Sequence, residues 1–187
     1  MKVWLASKSP RRKEILTALG VDFSVVAAEA DETCDIAAPD ALVRELSRRK
    51  AAAVGDVPDE TLVIGCDTVV CLNDKIMGKP KDRAEACRML SALSGNSHTV
   101  YSGLTLRYGG HIYTDFAATQ VHFAKLSAEE IAAYAATGEP DDKAGAYAIQ
   151  GRGAQFITGI EGCYYNVVGL PVALLREMTK THGIPLF

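Results

Sequence analysis

The feature that most constrains the fold is the stretch 61–72, TLVIGCDTVVCL, a nearly continuous run of apolar and β-branched residues. Such a run is typical of a strand that is buried on both faces, as in a parallel sheet flanked by helices. Asp67 is the only charged residue between Leu62 and Leu72. Because burying a carboxylate without partners is unfavourable, Asp67 is either a strand-end group bonded to a neighbouring turn or a strand-tip carboxylate that binds metal or activates water.

Patterns typical of strands and helices alternate along the rest of the chain, and they predict an α/β fold with a mixed sheet. With 187 residues, the chain is expected to form one domain, 1–187. A short strand at Val3–Ser7 leads into a helix that begins at Pro10, has Ser9 as its N-cap and stops at Gly20. The elements expected after it are a strand at 23–26, a helix from Pro39 to about Val54, the strand at 61–72, a helix from Asp82 through Leu93, strands at 98–107 and 111–123 joined at Gly109-Gly110, a helix from Ser127 to near Gly138, a strand near 155–161 and a helix at about 171–181.

Composition and charge argue against several classes of protein. The net charge is −3, which disfavours a general nucleic-acid binder with a basic face. No apolar run approaches the roughly 20 residues of a membrane span. The five cysteines are odd in number and form no C-x-x-C pair, and the four histidines are scattered, so a zinc site is not expected. We therefore expect a reducing compartment, the cytoplasm.

Two adjacent arginines, Arg11 and Arg12, stand in the first turn of the first predicted helix. The helix dipole makes that end positive, so acidic residues are preferred there and each cation is disfavoured by about 0.3–1 kcal/mol. Either both side chains swing out to solvent, or an anion such as a phosphate chain binds there. In the second case, backbone N–H groups and two guanidinium groups would converge on the anion.

Lys50 is a candidate because of its position on the helix that begins at Pro39. It stands four residues from both Leu46 and Val54, so it shares the apolar face of that helix. The periodicity leaves two interpretations open. The side chain either extends its ammonium group to water or serves a functional site.

Two loops contribute further candidates. Lys79 lies in a Gly-Lys-Pro loop, in which the flanking residues could aim one lysine at a phosphate, although surface lysines are common. Gln150 lies in the Gly-rich stretch 142–153, which matches neither a P-loop nor a dinucleotide fingerprint. Its amide both donates and accepts hydrogen bonds, so it could read the edge of a base.

Taken together, several segments resemble the Maf family of nucleotide pyrophosphatases. They occur in the order found in that family and cover most of the chain. Each is weak alone, but the combination is specific. The segments are ASKSPRRKEIL (6–16), EADET (29–33), LSRRKA (46–51), VIGCDTVV (63–70), GKPKD (78–82), LSGNSHTVYSG (93–103) and the long stretch 138–171.

The resemblance implies an elongated α/β fold related to inosine-triphosphate pyrophosphatases, with a twisted mixed sheet, two lobes around a cleft, and commonly a homodimer. It implies hydrolysis of a nucleoside triphosphate to the monophosphate and pyrophosphate with a divalent metal, Mg²⁺ or alternatively Mn²⁺. Asp67 matches the proton acceptor of the family, and Glu32 with Asp67 matches the carboxylates at the metal. The positions that match phosphate-facing residues are Ser7, Arg11, Arg12, Lys50 and Lys79.

The resemblance also indicates a substrate. Members that act on dTTP and UTP carry Arg, Thr and Gln at the positions of Arg12, Thr68 and Gln150, whereas members that act on 7-methyl-GTP differ there. The chain departs from the family at Ala148, where a glycine is common. We therefore expect a dTTP/UTP pyrophosphatase without nucleic-acid or membrane partners. The alternatives are a nucleotide-binding regulator of septum formation without turnover and an RNA-binding module, which the acidic charge disfavours.

Overall fold

The fold, described by a computed structural model over residues 1–27 and 29–187, is α/β with a mixed sheet, as predicted. In the described part of the chain, no helix has both the length and the apolar character needed to cross a membrane. Two short 3-10 segments, Ala144–Ala146 and Gly151–Phe156, precede the last strand. The strands are β1 (Lys2–Leu5), β2 (Ser24–Val25), β3 (Thr61–Leu72), β4 (Lys75–Met77), β5 (Ser97–Tyr108), β6 (His111–Phe123) and β7 (Ile157–Glu161), and the helices are α1 (Pro10–Ala18), α2 (Pro39–Ala52), α3 (Arg83–Leu93), α4 (Ala128–Ala135), α5 (Tyr164–Val168) and α6 (Val172–Thr181).

The strands of the described residues form a seven-stranded sheet in the order β2-β1-β3-β5-β6-β7, with β4 paired to β3 outside this path. β1 runs parallel to both β2 and β3, whereas β4 is antiparallel to β3, and β7 is antiparallel to β6. β3 has the bounds predicted from its apolar run, and every residue from Thr61 to Asp67 is buried. The run is apolar because this strand has neighbours on both sides and is covered on both faces.

Many element ends follow the local sequence signals. The side chain of Asp82 accepts a hydrogen bond from the backbone N–H of Glu85 and caps α3, as predicted. Ser127 and Glu130 form a capping box at the start of α4. These ends could be predicted because each depends on residues that are near one another in the sequence.

Two local expectations differ from the structure. Ser9 occupies the N-cap position of α1, but its side chain makes no capping hydrogen bond. Its backbone N–H instead donates to the hydroxyl of Ser7, so Ser7 supplies the side-chain acceptor next to the start of the helix. The short strand β4 was not predicted, because it is too short to show a period. It follows a turn at Asn73 and Asp74, whose φ angles of 49° and 61° are typical of a tight hairpin.

The chain divides into two compact units, each with its own buried cluster. The first unit comprises Met1–Thr68, Ser102–Ala117 and Gly169–Phe187. One of its clusters contains Ala6, Ala51 and Val63. The second unit comprises Val69–Tyr101 and Ala118–Val168, and its buried cluster includes Leu90, Leu93, Val121 and Phe123.

Helix α2 lies directly against the strands of the first unit, because two glycines leave no side chain between them. A Cβ atom at Gly65 of β3 would lie 2.5 Å from the carbonyl oxygen of Ser47, and one at Gly103 of β5 would lie 2.0 Å from that of Val43. Both distances are too short for real atoms, so only glycine permits this packing. The close approach brings Lys50, in the next turn of α2, over β3.

Candidate functional site

The buried carboxylate of Asp67 pairs with the ammonium group of Lys50. Asp67 is 7% exposed, and its Oδ1 lies 2.5 Å from Lys50 Nζ. Glu32 Oε1 lies 3.1 Å from the same nitrogen. The Lys50 side chain is 17% exposed and does not extend into water, which excludes one of the two sequence interpretations. The ammonium group offsets the unfavourable burial of the Asp67 charge.

Asp67 lies in the middle of β3, which corrects the sequence interpretations that put it at a strand end or tip. β1 pairs with β3 only as far as Leu5 and Ile64, while β4 pairs with β3 from Val70 onward. Asp67 therefore lies between the two paired segments on this strand. The surroundings of the carboxylate depend on where β1 and β4 end. The sequence of β3 alone does not reveal those ends.

Arg12 bonds to the protein rather than swinging out to solvent. Its Nε donates to the carbonyl oxygen of Gly169 at 2.8 Å, its Nη1 donates to Ser7 Oγ at 3.0 Å, and its Nη2 donates to Thr68 Oγ1 at 3.3 Å. Thr68 Oγ1 also lies 2.8 Å from Ser102 Oγ. Three oxygen atoms therefore fix the guanidinium group in one orientation. The guanidinium group of a flexible surface arginine would not be fixed in this way.

Asp67 and Thr68 lie on opposite faces of β3, because successive side chains of a strand alternate. Asp67 faces α2 and Lys50, whereas Thr68 faces Arg12 and the carbonyl of Gly169. The structure thus forms two contact groups around one strand of the first unit. The sequence did not predict this division, since it expected the cations to converge on one anion.

Cys66 shares the Thr68 face of β3 and is fully buried. Its thiol lies 3.2 Å from the carbonyl oxygen of Gly169. Burial raises the pKa of the Cys66 thiol, and the positive charges of Arg12 and Lys50 only partly oppose this effect. The thiol therefore stays protonated at neutral pH, so it behaves as a small core residue.

Gly169 is a residue of the candidate site that could not be singled out from the sequence. Its carbonyl oxygen accepts hydrogen bonds from Arg12 Nε and from the Cys66 thiol. Its φ angle is +124°, a conformation that residues with a side chain rarely adopt. The available signal was the glycine of the segment VVGLP, but nothing local relates it to an arginine near the start of the chain.

The remaining predicted site residues are Arg11, Lys79 and Gln150. Arg11 is half-buried in the first turn of α1, in the first unit. Lys79 is exposed in the loop after β4, and Gln150 is half-buried just before a 3-10 segment. Lys79 and Gln150 both belong to the second unit. The predicted residues that the structure does bring into contact form two sets in the first unit: Ser7, Arg12 and Thr68 on one face of β3, and Glu32, Lys50 and Asp67 on the other.

The candidate donors for a metal ion are two carboxylates, Asp67 and Glu32. Among the described residues, no group of three or more His, Cys, Asp or Glu side chains is placed to hold a metal. Asp67 and Glu32 nevertheless reach one cationic atom, Lys50 Nζ, at 2.5 and 3.1 Å. Two carboxylates with substrate phosphates are a common ligand set for Mg²⁺, so the residues present fit such an ion.

Comparison with known proteins identifies the family. A family model described as "Maf-like protein" matches residues 2–182. The chain is 49% identical over 185 residues to a protein of Pelotomaculum thermopropionicum named dTTP/UTP pyrophosphatase, with 97% of each chain covered. It is also 49% identical over 181 residues to a protein of that name from Bacillus cytotoxicus, with 96% and 95% covered.

A solved structure has the same fold at low sequence identity. The structure of the Ham1 protein of Staphylococcus aureus covers 97% of this chain and is itself covered completely, with a TM-score of 0.52 and 11% identity. At this identity the likeness concerns the fold alone. The family match, which spans nearly the whole chain, and the relatives of about half-identical sequence lead to one conclusion: the chain belongs to the Maf-like protein family.

Proposed function

We propose that this protein hydrolyses dTTP and UTP to the nucleoside monophosphate and pyrophosphate. The observation that carries the proposal is the pairing of buried Asp67 with Lys50, beside Glu32, in a chain whose relatives are named dTTP/UTP pyrophosphatase. A carboxylate is one of the side chains that take up a proton from water in general base catalysis, and the ammonium group of Lys50 fixes its position.

In the proposed reaction, Asp67 accepts a proton from the water whose oxygen attacks the α-phosphorus. The new bond to phosphorus forms as the bond from the α-phosphorus to the oxygen that bridges to the β-phosphate breaks. The pyrophosphate then carries away the electron pair of the broken bond. Lys50, which donates to the Asp67 carboxylate at 2.5 Å, would also donate to phosphate oxygens and so orient the carboxylate toward the water.

Charge on the leaving pyrophosphate requires cationic groups around the triphosphate. Arg12 supports this role because its guanidinium group is fixed by contacts within the protein, to Ser7, Thr68 and Gly169. A preorganised cation stabilises developing charge without reorganising during the reaction. We assign the same role to Arg11, Lys50 and Lys79, with Ser7 holding Arg12.

A divalent cation, Mg²⁺ or alternatively Mn²⁺, is part of the proposal. Asp67 and Glu32 would hold it together with phosphate oxygens, because both carboxylates reach a single positive centre. When bound, the ion would neutralise phosphate charge and polarise the reacting phosphoryl group. Mn²⁺ accepts the same kind of oxygen ligands, so either ion is consistent with this donor set.

We propose that Arg12, Thr68 and Gln150 select the base. Thr68 supports the assignment because Arg12 and Ser102 fix the direction of its hydroxyl group. The amide of Gln150 can donate to the 4-keto oxygen that thymine and uracil share and cytosine lacks. We further propose that the chain acts as one domain, forms a homodimer and works in the cytoplasm, as expected for a member of this family.

The decisive experiment measures pyrophosphate release from a panel of nucleoside triphosphates with Mg²⁺ or Mn²⁺, including CTP, the purine nucleotides and 7-methyl-GTP. We expect turnover of dTTP and UTP above the others. Asp67→Asn should abolish turnover and retain nucleotide binding, whereas the exposed control Asp56→Asn should behave as the wild type. Binding without pyrophosphate release from any nucleotide would overturn the proposal and favour a nucleotide-binding regulator.

A further inference from the structure

The loop that carries Gln150 is held on both sides by two residues of the second unit, Tyr134 and Glu139. The Glu139 carboxylate accepts hydrogen bonds from the backbone N–H groups of Gly153 at 3.0 Å and Arg152 at 3.1 Å. The Tyr134 hydroxyl donates to Glu139 at 2.9 Å and accepts from the backbone N–H of Ala148 at 3.2 Å. Gln150 lies between the backbone groups that these two side chains bind.

The backbone of the loop lies close against the Tyr134–Glu139 pair. A Cβ atom at Gly151 would lie 2.8 Å from the Glu139 carboxylate, and one at Gly153 would lie 2.7 Å from the Tyr134 hydroxyl. Gly151 also has a φ angle of +75°. The backbone on the C-terminal side of Gln150 therefore lies directly on the two polar groups, without side chains between them.

The hydrogen bonds of the pair have a fixed direction at neutral pH. Burial works to raise the pKa of the Glu139 carboxyl, but the N–H groups of Gly153 and Arg152 and the Tyr134 hydroxyl together lower it below its usual value. Burial is also the main cause that raises the pKa of the Tyr134 hydroxyl. Glu139 is therefore an ionised acceptor, and Tyr134 is a protonated donor.

We propose that Tyr134 and Glu139 are positioning residues that set base discrimination by fixing the backbone on either side of Gln150. The inference deepens the proposed function, because it rests on Gln150 reading the base. Neither residue needs to touch the substrate. An amide can tell a keto oxygen from an amino group only if its donor and acceptor are held in place, since a rotated amide reads the opposite pattern.

The proposed role of Tyr134 and Glu139 predicts a change in base preference without a change in phosphate binding. Loss of the Tyr134 hydroxyl frees the N–H of Ala148 and removes one donor from Glu139. The loop then becomes mobile where the base binds. Binding of the phosphate chain should not change, because the proposed phosphate-binding residues Arg11, Arg12 and Lys50 lie in the first unit, and Lys79 lies in a different loop of the second unit from Gln150. A merely structural role would lower stability without changing the preference among bases.

The test compares Tyr134→Phe and Glu139→Gln in the full chain with two exposed controls, Tyr164→Phe and Glu177→Gln. Equilibrium binding is measured with non-hydrolysable α,β-imido analogues of dUTP and dCTP and with inorganic tripolyphosphate. We expect the preference for the uracil analogue to fall about tenfold in both loop variants, as for loss of a hydrogen bond that orients a buried group. Tripolyphosphate binding and both controls should match the wild type.

Each alternative result is decisive. An unchanged uracil preference in Tyr134→Phe, or a wild type that does not prefer uracil, would overturn the inference. A wild type that binds with this preference but releases no pyrophosphate would overturn the proposed function and leave the inference standing. If Glu139→Gln fails to fold, Tyr134→Phe decides, because the phenylalanine keeps the ring that packs edge-on against Phe156, with centroids 5.1 Å apart.

Discussion

The Nε atom of Arg12 donates a hydrogen bond of 2.8 Å to the carbonyl oxygen of Gly169, which stands 157 positions further along the chain. The bond joins the first turn of α1 to the segment that precedes α6. It explains how a cation is accommodated at the positive end of a helix, since carbonyl and hydroxyl oxygens surround its charge. The contact requires a guanidinium group at position 12 and a backbone conformation at position 169 that favours glycine.

Replacement of Arg12 by lysine should reduce activity strongly. A lysine ammonium cannot reproduce the planar fork that reaches Gly169, Ser7 and Thr68 together. We expect kcat/KM for dTTP to fall about 100-fold, and the free energy of unfolding to fall by about 1–2 kcal/mol. Steady-state pyrophosphate release and urea unfolding check both values. Arg176→Lys, at an exposed position of α6, is the control, and an Arg12→Lys variant with wild-type kcat/KM would contradict the role of Arg12.

Replacement of Gly169 by alanine should destabilise the protein through its backbone rather than through a clash. A Cβ atom there would lie 3.7 Å from Thr68 Oγ1 and 3.9 Å from Arg12 Nε, which are ordinary contacts. The φ angle of +124° is nevertheless unfavourable for alanine, so we expect a loss of about 1–3 kcal/mol in urea unfolding. Gly78→Ala is the matched control, because a Cβ there meets no atom within 4 Å. Equal losses in both variants would contradict the backbone explanation.

Removal of Lys50 should destabilise the protein more than removal of the charge on Asp67. Lys50→Met leaves the carboxylate of Asp67, which is 7% exposed, without its ammonium partner. Breaking a buried pair in this way typically costs about 3–5 kcal/mol, whereas Asp67→Asn keeps a polar group that Lys50 can still bind. Chemical unfolding of the two single variants measures the difference.

The double variant Lys50→Met/Asp67→Asn tests the cause of that loss. If the unpaired carboxylate destabilises Lys50→Met, the double variant should recover most of the lost free energy of unfolding, because no charge remains buried. A double variant as unstable as Lys50→Met alone would mean that Lys50 acts mainly through the packing of its alkyl chain.

Local signals explain which parts of the fold could be predicted. β3 was predicted with its observed bounds, because a continuous apolar run is enough to define a buried strand. The start of α3 followed from the capping residue Asp82. β4 and α5 were missed, because a strand at Lys75–Met77 and a helix at Tyr164–Val168 are too short for a periodic pattern.

The candidate site depended on relationships that no local pattern contains. Periodicity put Lys50 on the inner face of its helix but could not say whether its head group met water or a carboxylate, since Asp67 belongs to another element. The contact of Arg12 with Gly169 and the contact of Glu139 with Gly153 likewise join distant parts of the sequence. The resemblance to a family supplied the expected residues, and only the fold revealed which of them touch.

Stability should fall in mild acid because of a buried histidine. His98 is 2% exposed on β5, and its Nε2 lies 2.8 Å from the Tyr147 hydroxyl. Among the described residues, its Nδ1 atom has no hydrogen-bond partner. Burial, with a smaller effect of the nearby His122, lowers the pKa of His98 from 6.5 to about 4. The folded protein therefore holds this imidazole neutral where the unfolded chain would protonate it.

The sign of the pH dependence follows from this lowered pKa. Below about pH 6.5 the unfolded chain takes up a proton at His98 that the folded protein does not bind, so the stabilisation present above that pH is lost as the pH falls toward about 4. We expect a loss of about 3 kcal/mol across this window. Urea unfolding of the wild type, His98→Phe and the exposed control His111→Gln at about pH 7 and about pH 4.5 measures it. The loss of unfolding free energy between the two pH values should be smaller only in His98→Phe. Equal losses in all three proteins would assign the acid sensitivity to other groups.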